Sequence, residues 1–314
     1  MILHRPLFEK ILTDTKSGKR TMLCAVVKTS GSTPQSPGAL LLIDETMHTV
    51  GTLGGGCVEA EVRKRAFELL NKGESGLLSF QLNHDYGWDD GLICGGGMDV
   101  VATPILSQTD CTQFADILDA IDAGNHAFVT MRAMHDGALC EYKILIEAEP
   151  KLVIAGAGHV GVELAKLAVD LEFDVTVIDD RCDCANEKRL PPPIHIIVGD
   201  IEQSLRNHKI DKDSYVVIVT RGHNHDEQAL AAVIESDARY IGMIGSRRKI
   251  KLIYDDLAAT GIDPTLFDRV HAPIGVKINS VTVPEIAISI IAELISVRRE
   301  NTRRLVEGPI TVES

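Results

Sequence analysis

Residues 153–161 read VIAGAGHVG. Gly156, Gly158 and Gly161 stand in G-x-G-x-x-G spacing. The run KLVIAG (151–156) ahead of them predicts a strand, and Val160, Leu164, Leu167 and Ala168 behind them predict a helix over 159–171. A second strand, DVTVID, ends at Asp179, 23 residues beyond Gly156. That is close to the ~20 residues expected of an acid that meets a ribose hydroxyl. In this context Gly156 allows the tight turn, Gly158 lets backbone approach a pyrophosphate, and Gly161 lets helix pack on strand. The helix N–H groups then face the phosphates. Asp180 is an alternative to Asp179, and Arg181 would favour a ribose 2′-phosphate.

Outward from this core, further strands are expected at 194–198, 215–220 and 240–244, with helices between or after them. The βαβ series implies a parallel sheet with helices on both faces, a Rossmann-type domain over 149–314. Two of its loops fall at strand C-termini, where doubly wound sheets bind ligands. TRGHNHDEQAL carries Arg221, His223, His225 and Asp226; GSRRK carries Ser246, Arg247, Arg248 and Lys249. Arg221, Ser246 and Arg247 are candidate phosphate contacts. His223 and His225 could suit a metal, but no third ligand is evident in the sequence, so no side-chain cage is expected.

Residues 1–148 read as a separate mixed α/β domain, with helices at 6–17, 57–72 and 112–123 and strands at 22–30, 39–44, 77–82, 98–106, 126–134 and 138–147. Two of its turns pair a cysteine with three glycines: TLGGGCVEAE (52–61) and LICGGGMD (92–99). Cys57 opens a helix, where aligned peptide dipoles favour a thiolate. Gly54, Gly55 and Gly56 leave open backbone beside it, and Gly95 and Gly96 do the same beside Cys94. Such turns suit an anionic ligand or a soft metal; they also occur as plain bulges and tight turns. Cys24 and Cys140 fall inside strands and are expected in the core, and the C-x-C pair Cys182 and Cys184 is expected in a loop.

The chain has 314 residues and a formal net charge of −13. That balance argues against nucleic acid and anionic lipid as main partners. No apolar run approaches the ~18–20 residues of a membrane span, and the N-terminus lacks signal-peptide features, so a cytoplasmic protein with reduced thiols is expected.

Eight stretches, GSTPQSPGA, GTLGGGCVEAEV, ICGGGMDV, VIAGAGHVG, VTVIDDR, TRGHNHDEQAL, YIGMIGSRRK and PEIAISIIAELISVRR, run in order from residue 31 to 299. Together they resemble the XdhC/CoxI family, accessory proteins that mature xanthine dehydrogenase and related molybdenum hydroxylases. The resemblance implies a chaperone that binds the molybdenum cofactor (molybdopterin, with or without an added nucleotide), supports its sulfuration with a cysteine desulfurase, and inserts it into the apo-hydroxylase. It also implies molybdenum contact or sulfur handling through Cys57 or Cys94. The rival readings are an NAD(P)-dependent oxidoreductase and a dinucleotide-binding redox regulator. Both take support from the glycine fingerprint, but the oxidoreductase lacks an evident hydride-transfer acid/base pair such as Tyr-x-x-x-Lys. A homodimer is expected from the broad apolar face of helix 284–299.

Overall fold

The computed structural model describes residues 4–81, 96–135, 137–300 and 306–311. The chain divides into two compact units, residues 1–148 with 304–314, and residues 149–303.

The first unit contains α1 (His4–Lys16), β1 (Thr21–Ser30), β2 (Leu40–Asp44), β3 (Thr49–Gly51), α2 (Gly56–Lys72), β4 (Gly76–Gln81), β5 (Gly97–Ile105), α3 (Thr112–Asp122), β6 (Ala127–His135) and β7 (Ala138–Ile146). Five strands form an antiparallel sheet in the order β3-β2-β1-β5-β4. The central strand β1 alternates its side chains across two cores, as the strand period of two requires. Met22, Cys24 and Val26 pack toward Val58, Val62, Ala66 and Leu70 of α2. Leu23 and Ala25 join Phe8 and Ile11 of α1, Phe114 and Ile117 of α3, and Val129 and Ile144 of the β6–β7 hairpin. Helix α2 stops where Gly73 adopts φ +70° and caps the last carbonyls.

The second unit contains β8 (Lys151–Ala155), α4 (His159–Asp170), β9 (Asp174–Asp179), β10 (His195–Val198), α5 (Ile201–Asn207), β11 (Ser214–Ile218), α6 (His223–Val233), β12 (Tyr240–Met243), α7 (Arg247–Ala259), β13 (Val270–His271) and α8 (Val283–Glu300). Its six strands are parallel, in the order β10-β9-β8-β11-β12-β13. Counted within the unit this is 3-2-1-4-5-6, the Rossmann order. Both faces are covered. Leu152 and Ile154 point to α4 and α8, whereas Val153 and Ala155 point to the core containing Leu205, Leu230 and Ile253 of α5, α6 and α7.

Two sequence expectations change here. The C-terminal segment does not continue the Rossmann unit: β14 (Val306–Thr311) pairs antiparallel with β7 and completes a three-stranded sheet, β14-β7-β6, in the first unit. The open edge of β7 supplies the backbone donors and acceptors that such a strand needs. The apolar face of α8 packs inside its own unit, with Ala287, Ile290 and Leu294 in the same core as Leu164 and Ala168 of α4. That face therefore no longer argues for a second copy of the chain. No helix among the described residues is long and apolar enough to cross a membrane.

Candidate functional site

Each unit builds one glycine-lined site. In the first, residues 54–56 are three consecutive glycines with φ of +107°, +72° and +66°. L-residues with a side chain rarely adopt these angles. At Gly54 a Cβ would lie 2.4 Å from the Pro34 Cβ, so close packing also demands glycine there. At Gly55 and Gly56 a Cβ would meet nothing within 4 Å. Those two present bare backbone to open space, and the N-cap residue of α2, Gly55, has no side chain with which to cap it. Cys57, half-buried, is the second residue of that helix.

The turn is held by Glu59, which the sequence reading did not single out. Its Oε2 accepts from Thr52 Oγ1 (2.7 Å), Leu53 N (2.8 Å) and Gly55 N (3.1 Å). Burial pushes this carboxyl up, but the three hydrogen bonds and nearby Arg63 outweigh it and hold it below the usual glutamate range. The available signal was an acid in the first turn of a helix lacking a polar N-cap.

Cys94 and Gly95 lie outside the described residues. Gly96 departs from its expected role as open backbone. It is buried, and a Cβ there would lie 2.3 Å from the Ser32 carbonyl oxygen and 2.6 Å from that of Ser30. Its glycine is required by the close approach of two chain segments. Gly54 and Gly96 thus both rest against residues 30–34, so this stretch packs against parts of both Cys–Gly motifs. Cys24 and Cys140 are buried in the cores, and burial pushes the Cys24 thiol strongly up.

In the second unit, the sheet order reverses between β8 and β11, and loops 156–158 and 219–222 meet at that switch point. Gly156 has φ +118°, and a Cβ there would lie 2.5 Å from the Val219 carbonyl oxygen. A Cβ on Gly161 would lie 1.9 Å from the Gly156 carbonyl oxygen. Gly158 differs: its φ is −67°, a Cβ would meet nothing within 4 Å, and no side chain caps α4. Gly156 and Gly161 therefore serve the fold, and Gly158 leaves space for a ligand at a helix N-terminus. A cleft of about 610 Å³ beside it is lined by His159, Lys166, Lys188 and Arg189, among others.

Asp179 does not stand free for a ribose. It is 1% exposed. Its carboxylate accepts from Ala157 N (2.7 Å), Arg181 N (3.0 Å), Arg181 Nε (2.9 Å) and Arg181 Nη2 (2.8 Å). Burial pushes it up, yet these donors hold it below the usual aspartate range. The geometry makes Asp179 a brace behind the glycine loop. It also commits Arg181, whose guanidinium would otherwise be available for a 2′-phosphate. Asp180 is the outward-facing acid, paired at 2.7 Å with Arg221. Because β8 lies between β9 and β11, this pair passes over the carboxyl end of β8.

Arg221 also directs Nε to His225 Nε2 at 3.3 Å. Ser246 caps α7, its Oγ accepting from Lys249 N, while Arg247 is exposed on the first turn. Beneath these loops, fully buried Asp226 accepts from Thr220 N (3.1 Å), from Thr220 Oγ1 and from Lys249 Nζ. That network ties the β11 loop to α7. The histidine pair separates: His223 faces Glu227 and Asp256, and His225 faces Arg221. Residues two apart on a helix point about 200° from one another.

Fold and site together define a two-unit protein with an antiparallel cysteine–glycine unit and a Rossmann-type unit whose glycine loop leaves open space at Gly158. The chain belongs to the XdhC and CoxI family: that family's sequence profile matches residues 15–81, and the XdhC Rossmann domain profile matches residues 152–294. It is 28% identical over 91% of its length to the uncharacterized protein YqeB of Escherichia coli, of which it spans 45%. It is 26% identical to a probable xanthine dehydrogenase subunit of Bacillus subtilis, covering 90% of this chain and 94% of that one. Identity to the molybdenum cofactor insertion chaperone PaoD of Escherichia coli is 22%, covering 94% and 89% respectively. A crystal structure of a xanthine dehydrogenase from Bacillus halodurans shares the fold, with TM-score 0.79, 23% identity, and 94% and 96% of the two chains covered.

Proposed function

We propose that this chain is an accessory protein that binds the molybdenum cofactor and inserts it into a molybdenum hydroxylase such as xanthine dehydrogenase. The cofactor is cargo, and the residues fit its chemistry. It is an anionic pterin dithiolene that carries a soft metal and a phosphate. Gly55 and Gly56 offer open backbone without side-chain walls, and Cys57 offers sulfur at a helix start. The observation that carries the proposal is this open glycine turn beside Cys57, braced by Glu59.

In this reading Cys57 contacts the metal or carries the sulfur used in cofactor sulfuration, with a cysteine desulfurase as sulfur source. Cys94 has the same assigned role from the sequence. The resemblance to PaoD supports insertion over catalysis.

A second reading has one specific observation in its favour. Gly158 leaves the start of α4 open, which suits the diphosphate of NAD(P) as well as that of a pterin nucleotide. The test is metal analysis of untagged protein purified without oxygen from a molybdenum-replete host. Molybdenum at a stoichiometric fraction of the chain, lost in Cys57→Ser, supports the proposal. Bound NAD(P) with no molybdenum supports the second reading instead.

A further inference from the structure

We propose that His223, Glu227 and Asp256 form a binding site for a divalent transition metal on the Rossmann unit, separate from either glycine turn. His223 opens α6, Glu227 lies one helical turn on, and Asp256 comes from the last turn of α7. His223 Nε2 is 3.4 Å from Asp256 Oδ2 and 3.7 Å from Glu227 Oε2. All three donor atoms lie within 4.8 Å of one another.

These separations match coordination chemistry. Two donors each about 2.1 Å from a tetrahedral ion are about 3.4 Å apart. The two distances from His223 are near that value, and the two carboxylate oxygens, within 4.8 Å of each other, would close by at most about 1.4 Å to meet the same ion. The side chains are 35%, 28% and 56% exposed, so an ion can enter and the rotamers can adjust.

The donor set selects the class of metal. One neutral imidazole and two carboxylates carry two negative charges, matching a divalent cation. The imidazole disfavours calcium and magnesium, which take oxygen ligands, and favours zinc, cobalt or iron(II). Three protein ligands leave a position for water or a ligand atom. His225 is not part of the set, because it faces Arg221. A bound ion clamps the start of α6, and with it the loop carrying Arg221, to α7.

The same distances also serve a protonated imidazole between two carboxylates, and the experiment separates the two. The untagged full chain is stripped with a chelator, its thiols are alkylated, and it is titrated with cobalt(II) while visible absorption is followed. We expect one cobalt per chain with micromolar affinity or better, displaceable by zinc. His223→Ala and Asp256→Asn should each weaken binding at least about tenfold, and His225→Ala should leave it unchanged. No cobalt uptake by the alkylated wild type would overturn the proposal. So would equal affinity in His223→Ala, since the fold does not depend on this half-exposed side chain.

Discussion

Alanine substitutions at the three fingerprint glycines should have opposite consequences. At Gly156 the added Cβ would meet the Val219 carbonyl at 2.5 Å, with φ at +118°. Left-handed backbone costs about 1–2 kcal/mol and overpacking about 1–3 kcal/mol. Gly156→Ala should therefore lose about 2–5 kcal/mol. Gly161→Ala, with a 1.9 Å approach to the Gly156 carbonyl, should lose at least as much. Gly158→Ala costs almost nothing, because φ is −67° and the space is empty. Its stability should stay within about 0.5 kcal/mol of wild type. Yet the methyl group stands where a diphosphate must approach, and affinity should fall at least about tenfold, or about 1.4 kcal/mol. Urea unfolding gives the first quantity. Calorimetric titration with NADH and with ADP gives the second. If Gly158→Ala unfolds as easily as Gly156→Ala, the division of labour among the glycines is wrong. If it binds like wild type any diphosphate that wild type binds, no phosphate lies against Gly158.

Three further outcomes follow from the hydrogen-bond networks. Burial pushes Asp44 up, but bonds from Thr46 and His48 and the Lys10 ammonium outweigh it and hold it at about 2. A carboxyl depressed in the folded state stabilises above its unfolded value near 4, so about 2 kcal/mol should be lost between about pH 4 and pH 2, and Asp44→Asn should flatten that part of the stability profile. Lys249→Met strips a fully buried Asp226 of its cation and should cost about 3–5 kcal/mol by chemical denaturation, while the double change with Asp226→Asn should cost clearly less. Glu59→Ala removes the acceptor of three donors and should cost about 1–3 kcal/mol, with Glu59→Gln recovering part of the loss. Equal losses for Ala and Gln would mean that Glu59 acts through its charge rather than through an acceptor oxygen.

What the sequence made legible was local. The G-x-G-x-x-G turn, the strands flanking it and the helix expected over 57–72 rest on spacings within one or two elements, and all occur in the structure. The parts that escaped depend on distant partners. Asp179 has the spacing of a ribose acid, but its role is decided by Ala157, which lies 22 residues earlier, and by its burial. The Asp226–Lys249 pair spans 23 residues, and His223 and Asp256 are 33 apart. No periodicity reports such pairs. Strand 306–311, VEGPIT, is mostly exposed and contains Gly-Pro, so it carries no alternating pattern; only the edge of β7 makes it a strand. Gly96 looked like its counterparts in the other turn because a glycine that faces a carbonyl and one that faces open space are spelled alike.

The central claim is transfer of a molybdenum cofactor, and native mass spectrometry tests it most directly. Wild-type chain purified with its cargo is mixed, without oxygen, with an apo molybdenum hydroxylase from the same host. The mass of the pterin cofactor should leave this chain and appear on the hydroxylase as its activity rises, and Cys57→Ser should bring neither change. A chain that carries no pterin, or that retains it while the hydroxylase stays inactive, would contradict the account.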